Sequence, residues 1–126
     1  MPEPQPTLAD RLRVLIVEDD ASNRDVMRIV LELAGHTVHT AGTGVEALRC
    51  AAEEPPDTVL LDLTLPDQNG EEVSAALRRE MHPAPRIIIT SGMSLRAGDA
   101  ERLGADAILQ KPFDPDRLLE LLSSGS

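Results

Sequence analysis

Four short apolar runs recur along the chain: VLIV at 14–17, TVLL at 58–61, RIIIT at 86–90 and the weaker AIL at 107–109. Each is too short for a helix and is bounded by polar or turn-forming residues, the pattern of a strand buried on both faces. A fifth run, HTVHTA at 36–41, alternates in character and reads as an edge strand. Strands that are apolar on both sides must be covered on both sides, and this requirement restricts the fold more than any other feature.

Helical patterns fill the intervals. Residues 22–34 place Val26, Ile29, Val30 and Leu33 at helical spacing and stop at Gly35. Residues 44–54 carry Val45, Leu48 and Ala52 and end at Pro55–Pro56. Residues 71–81 follow Gly70, with Val73, Ala76 and Leu77 on one face, and a segment at 95–103 is interrupted by Gly98. The last helix, 115–122, has Asp114 as N-cap and Pro115 at its first position, then Leu118, Leu119 and Leu122. Five strands alternating with five helices predict an α/β protein built on a doubly wound, five-stranded parallel sheet of order 2-1-3-4-5. The reason is that each parallel crossover needs a helix and turns right-handed. Such sheets bind ligands beyond the carboxyl ends of their strands, beside the first and third.

The totals agree with one domain. The chain has 126 residues, 41% of them hydrophobic, enough for a single core. We assign residues 1–11 to a Pro-rich, flexible or extended tail, 12–123 to the domain and 124–126 to a loose end. No run of 18 apolar residues could span a membrane, and the first residues lack a basic-then-apolar secretory pattern. A single cysteine, Cys50, precludes an internal disulfide and fits a reducing cytosol, so a cytoplasmic location is expected. The net charge of −10, from 22 acids against 12 bases, opposes nucleic acid as a direct partner. Phe113 is the only aromatic residue, so bases would find no stacking platform either. Divalent cations are the natural small ligand of such a chain.

The residues just past each central strand belong together. The first strand ends in Glu18–Asp19, the third in Asp62, the fourth in Thr90–Ser91 and the fifth in Gln110–Lys111. In a parallel sheet all of them lie on one edge, with neighbouring strands about 4.8 Å apart. Lys111 is the only lysine among twelve basic residues, which marks a position suited to a compact ammonium rather than a planar guanidinium. Three converging carboxylates cannot all stay ionised without neutralisation, and Mg²⁺, a hard cation that prefers oxygen ligands, supplies it. Lys111 and Thr90 could then serve the remaining oxygens of a phosphoryl group, with Asp62 as nucleophile of an aspartyl phosphate.

With these residues in place, the chain resembles the receiver domains of two-component response regulators. The motifs that carry the resemblance are VLIVEDD (14–20), VLLDLTLPDQNG (59–70), IIITSG (87–92) and GADAILQKPF (104–113), and it covers nearly all of 12–123. It implies a flavodoxin-like (βα)5 sandwich and a signalling switch rather than a true enzyme. Asp62 resembles the phospho-acceptor. Glu18 and Asp19 resemble the acidic pair that holds Mg²⁺, the first usually through water, and Thr64 would offer its backbone carbonyl to the metal. Thr90 resembles the switch hydroxyl and Lys111 the lysine that pairs with the phosphoryl group. Pro112 stands where the family often has a cis peptide. The resemblance also implies a histidine kinase or histidine phosphotransfer protein as donor and a downstream protein effector. The readout would pass through the face of helix 4, strand 5 and helix 5, in a monomer or a phosphorylation-dependent dimer of bacterial type.

One position departs from the pattern: Ile108 stands where the family commonly has Tyr or Phe. This moves the expected readout to the backbone of the fourth helix, loosened by Gly92 and Gly98. Two other chemistries fit the residues less well. GTGVEA at 42–47 matches a dinucleotide fingerprint, but it follows the edge strand and the chain is short for such a fold. A haloacid-type phosphatase would need a second aspartate where Thr64 stands. A pseudo-receiver, with the fold but no phosphorylation, is opposed by the intact Glu18, Asp19, Asp62, Thr90 and Lys111 set. His36 and His39, three apart on a strand, should point to opposite faces and make no zinc site.

Overall fold

The computed structural model describes residues 11–96 and 98–123. Residues 1–10 of the tail assigned to 1–11, and the loose end at 124–126, lie outside the described residues. Strands β1 (Arg13–Val17), β2 (Thr37–Ala41), β3 (Thr58–Asp62), β4 (Arg86–Ser91) and β5 (Ala107–Gln110) alternate with helices α1 (Ala21–Leu33), α2 (Gly44–Glu53), α3 (Gly70–Glu80), α4 (Asp99–Arg102) and α5 (Pro115–Ser123). The sheet is parallel throughout, in the order β2-β1-β3-β4-β5, as expected.

The continuous apolar runs are explained by the two cores. Leu15, Val17, Val59, Leu61, Ile87 and Ile89 face one side, against Ala47 and Ala51 of α2 and Val73 and Leu77 of α3. Val14, Ile16, Leu60 and Ile88 face the other, against Met27 and Leu31 of α1 and Leu118, Leu121 and Leu122 of α5. Consecutive strand residues thus serve opposite layers, the period-two consequence of the pleat.

Helix starts follow from short polar side chains. Asp20, Thr43 and Asn69 cap α1, α2 and α3 by accepting from the backbone N–H groups of Asn23, Glu46 and Glu72. The Asp114 carboxylate accepts from Arg117 N–H at 3.2 Å, the expected cap of α5. Gly35, with φ 99°, ends α1 in the left-handed conformation that glycine adopts most readily.

Three expectations are corrected. First, Val26, Ile29 and Leu33 of α1 are exposed, while Met27 and Leu31 are buried and Val30 is half-buried. Apolar residues occupy more than one stripe of this helix, so periodicity alone could not select the inward one. Second, α2 turns Gly44, Ala47 and Ala51 inward and leaves Val45 and Ala52 exposed, because small residues allow a close approach to the sheet. Third, the helix expected at 95–103 is the single turn α4. Gly98 stands at φ 97°, and the Asp99 carboxylate takes the Arg96 N–H at 2.6 Å, a local turn that competes with helix. Residue 97 of that segment lies outside the described residues.

Candidate functional site

The carboxyl ends of β1, β3, β4 and β5 deliver the predicted residues to one place. Asp62 closes β3 and pairs in register with Thr90 of β4. Lys111 follows β5, with its N–H on the Ser91 carbonyl at 2.7 Å. Glu18 follows β1 and donates its N–H to the Ala41 carbonyl of β2. The carboxylates of Glu18, Asp19 and Asp62 each offer an oxygen within 4.8 Å of the others.

Their surroundings differ sharply. Glu18 is 1% exposed and Asp62 7%, whereas Asp19 is open to solvent. The Lys111 ammonium donates to Glu18 Oε2 at 2.7 Å and to Asp62 Oδ2 at 3.3 Å. Glu18 Oε1 accepts from Asp20 N–H at 3.3 Å, and Asp62 Oδ1 accepts from Thr64 N–H at 3.0 Å. Burial pushes the Glu18 carboxyl above its ordinary value, and the Asp62 charge adds to this while the Lys111 hydrogen bond offsets it only in part. Burial alone would depress the Lys111 ammonium. Its bonds to Glu18 and Asp62 and their charges outweigh that, holding it above its ordinary value.

Three carboxylates face one ammonium, so the site carries excess negative charge on its exposed side. That donor set, all oxygen, fits Mg²⁺ through one or two carboxylates and retained waters. Beside it, Thr90 is 1% exposed, and its Oγ1 is the buried side-chain polar atom without a hydrogen-bond partner among the described residues. Buried hydroxyls are nearly always satisfied, so one without a partner calls for an explanation, and a bound group can supply it. Lys111–Pro112 is a cis peptide, as the resemblance implied, and His82–Pro83 is another.

The loop from β3 to α3 is folded tightly over the site. Gly70 N–H meets the Leu63 carbonyl at 2.7 Å, and Thr64 and Asn69 form an antiparallel bridge. A Cβ on Gly70 would lie 2.7 Å from the Asp62 carbonyl oxygen and 2.8 Å from Leu63 Cα, so only glycine allows this closure. A groove of about 460 Å³ opens next to the site, bordered by Asn23, Val26, Met27, Gly92, Lys111, Pro112 and Phe113.

Two contributors were not anticipated. Arg24 Nη1 donates to the Glu18 carbonyl at 2.9 Å, fixing the start of the acidic loop. Asp67 accepts from the Gly44 and Val45 N–H groups at 2.8 and 3.0 Å, which hold its carboxyl below the usual range. The anion at the GTGVEA helix start is therefore an aspartate of the same chain. GTGVEA signalled an anion at this helix start, but nothing in the sequence pointed to an aspartate more than twenty positions away. The histidines also stand apart from the site: His36 Nδ1 accepts from Leu12 N–H at 3.0 Å, and His39 Nε2 meets Glu54 at 2.6 Å.

Comparison with known proteins agrees with the geometry. The family model for the response regulator receiver domain matches residues 14–123. The transcriptional regulatory protein KdpE of Mycobacterium tuberculosis is 42% identical over 113 residues, covering 86% of this chain and 48% of that protein. The polar-differentiation response regulator DivK of Brucella ovis is 34% identical over 116 residues, covering 88% of this chain and 93% of its own. The chain therefore spans about half the length of the first curated relatives it matches and nearly all of others. The chemotaxis response regulator CheY4 of Vibrio cholerae superposes with a TM-score of 0.82 at 30% identity, over 89% of this chain and 96% of that one. A receiver domain protein of Methanospirillum hungatei gives 0.79 at 32% identity, over 89% and 90%.

The chain belongs to the response regulator receiver domains, the phosphorylation-dependent signalling modules of two-component systems. Its sheet order and helical layers are those of the CheY-like flavodoxin fold. None of its described helices is long and apolar enough to cross a membrane.

Proposed function

We propose that this receiver accepts a phosphoryl group on Asp62 from the phosphohistidine of a histidine kinase or histidine phosphotransfer protein. The observation that carries the reading is the orphaned Thr90 hydroxyl, buried at the strand position paired with the Asp62 carboxylate. A phosphoryl oxygen is the partner it lacks.

In this reading an Asp62 carboxylate oxygen attacks phosphorus, the phosphorus–nitrogen bond breaks, and the electron pair leaves on the donor imidazole. Thr64 N–H and the Lys111 ammonium orient the carboxylate beforehand, each on its own oxygen. Glu18, Asp19, Asp62 and the Thr64 carbonyl would hold Mg²⁺. When bound, it offsets the negative charge of the phosphoryl oxygens. Glu18 keeps Lys111 in place until a phosphoryl oxygen competes for the ammonium.

The donor approaches beside α1, where the exposed Val26 borders the groove at Lys111 and Ile29, further along the helix, is exposed as well. The change is read by a protein effector on the side of α4, β5 and α5. Ile108 is half-buried there, on an edge strand. With no ring at this position, the segment 92–103 is the responsive element: Gly92 has open space around it and Gly98 breaks the helix. Incubation with acetyl phosphate and Mg²⁺, followed by intact mass, tests the reading. A gain of one phosphoryl group in wild type and none in Asp62→Asn supports it. No gain in wild type, even from a kinase donor, favours a receiver that binds partners without phosphorylation.

A further inference from the structure

The loop that aims Asp62 is fastened at both ends. At its base, Leu63 N–H bonds the Thr90 carbonyl at 2.9 Å, and the Thr64 N–H holds Asp62 Oδ1. Its tip leaves the sheet and reaches the first turn of α2, 22 and 23 positions away in sequence from Asp67. There each carboxylate oxygen of Asp67 takes one free N–H of the helix start, Oδ1 from Gly44 and Oδ2 from Val45. The neighbouring Gln68 lies over Gly44 so closely that a Cβ on Gly44 would stand 2.5 Å from Gln68 Cγ. Gly44 therefore gives the tip room as well as a donor. The Thr43 hydroxyl accepts from Glu46 N–H at 3.1 Å, so the same helix start keeps a cap of its own.

We infer that Asp67 is a positioning residue for phosphoryl transfer, clamping the tip of the acceptor loop to α2 so that Thr64 presents its N–H to Asp62 and its carbonyl to the metal. The inference rests on Asp62 being the acceptor and goes beyond it, since Asp67 touches none of the reacting atoms. Two ionic hydrogen bonds, made by one planar group to adjacent backbone donors, fix direction as well as distance. Without Asp67 the loop is held near its base, by the Thr64–Asn69 bridge and the bonds of Leu63 to Gly70 and Thr90, which leaves its tip free to tilt. The lowered Asp67 carboxyl is consistent with a bonded, ionised clamp. Supports of this kind are typically worth a factor of about 10 to 100 in metal affinity or activity when removed.

The test compares wild type with Asp67→Ala, Asp67→Asn and Thr43→Ala. Calorimetry with Mg²⁺ alone measures metal affinity, acetyl phosphate with intact mass measures transfer, and amide NMR follows Thr64. Asp67→Ala should weaken Mg²⁺ by about tenfold, slow transfer at low Mg²⁺ and shift the Thr64 amide. Asp67→Asn, with one acceptor oxygen in place of two, should fall between. Thr43→Ala loosens the same helix start without touching the loop, and should lower thermal stability while Mg²⁺ affinity stays within twofold. The inference is overturned if Asp67→Ala keeps wild-type Mg²⁺ affinity and an unmoved Thr64 amide, or if Thr43→Ala matches its effect on both. Failure of the acceptor reading looks different: wild type gains no phosphoryl group at all, whereas the Thr64 amide still reports the clamp.

Discussion

Replacing Thr90 by Val should make the protein more stable and a poorer switch. Thr90 is 1% exposed in β4, and its hydroxyl has no partner among the described residues. Valine has nearly the same shape and suits a strand, so the exchange removes a buried polar atom without opening a cavity. An unsatisfied buried hydroxyl costs about 1–3 kcal/mol, and that penalty should be recovered. For a domain of this size the midpoint of thermal unfolding should rise by roughly 4 °C per kcal/mol. With beryllofluoride, a phosphoryl mimic that bonds a carboxylate oxygen, the order should reverse in part. The wild-type hydroxyl then gains a charged acceptor worth about 1.5–3 kcal/mol, which Thr90→Val cannot use. Urea unfolding followed by far-UV circular dichroism, with and without Mg²⁺ and beryllofluoride, gives both differences. A Thr90→Val protein less stable than wild type by 1 kcal/mol or more without the mimic would refute the reasoning, because the hydroxyl would already have been bonded.

Three further outcomes are expected. Burial lowers the pKa of His36 from its ordinary value of 6.5, and its neutral Nδ1 accepts the Leu12 N–H. The unfolded chain therefore binds a proton more readily, so stability is intact above about pH 6.5 and falls as pH drops below it. Urea midpoints at pH 7.5 and 5.5 should separate less in His36→Gln than in wild type; an unchanged separation would remove His36 from the account. Ile29→Glu, on the exposed side of α1, should slow transfer from a protein phosphodonor about tenfold while acetyl phosphate labels it at the wild-type rate; equal loss with both donors would mean damage to the site itself. Amide exchange should change across 92–103 on phosphorylation, and protection identical in both states there would rule out this segment as the readout.

What was readable in the sequence follows from how each feature is encoded. The strands were legible because Val14–Val17, Val59–Leu61 and Ile87–Ile89 are buried on both faces, leaving runs that no amphipathic helix would show. The site was legible for the same reason: a parallel sheet forces Glu18, Asp62, Thr90 and Lys111 to one edge once the strands are in place. The inward face of α1 was not, since Met27 and Leu31 compete with Val26, Ile29 and Leu33, and only packing against the sheet and α5 decides between them. The first turns expected for α4 were lost to Asp99 bonding Arg96 N–H, a local choice that hydrophobic spacing does not register. Asp67 escaped notice because its partners are backbone groups of a distant helix, and only the tertiary fold brings them within 3.0 Å.

The acceptor can be located chemically. An acyl phosphate on a carboxylate is reduced by borohydride to the alcohol, so a phosphorylated aspartate becomes homoserine and keeps its place in the sequence. The protein is labelled with acetyl phosphate and Mg²⁺, reduced, digested and mapped by tandem mass spectrometry, with a sample lacking Mg²⁺ alongside. Homoserine at position 62 alone, and only when Mg²⁺ is present, is the expected result. Homoserine at Asp19 or Asp67, or equal labelling without Mg²⁺, would contradict it.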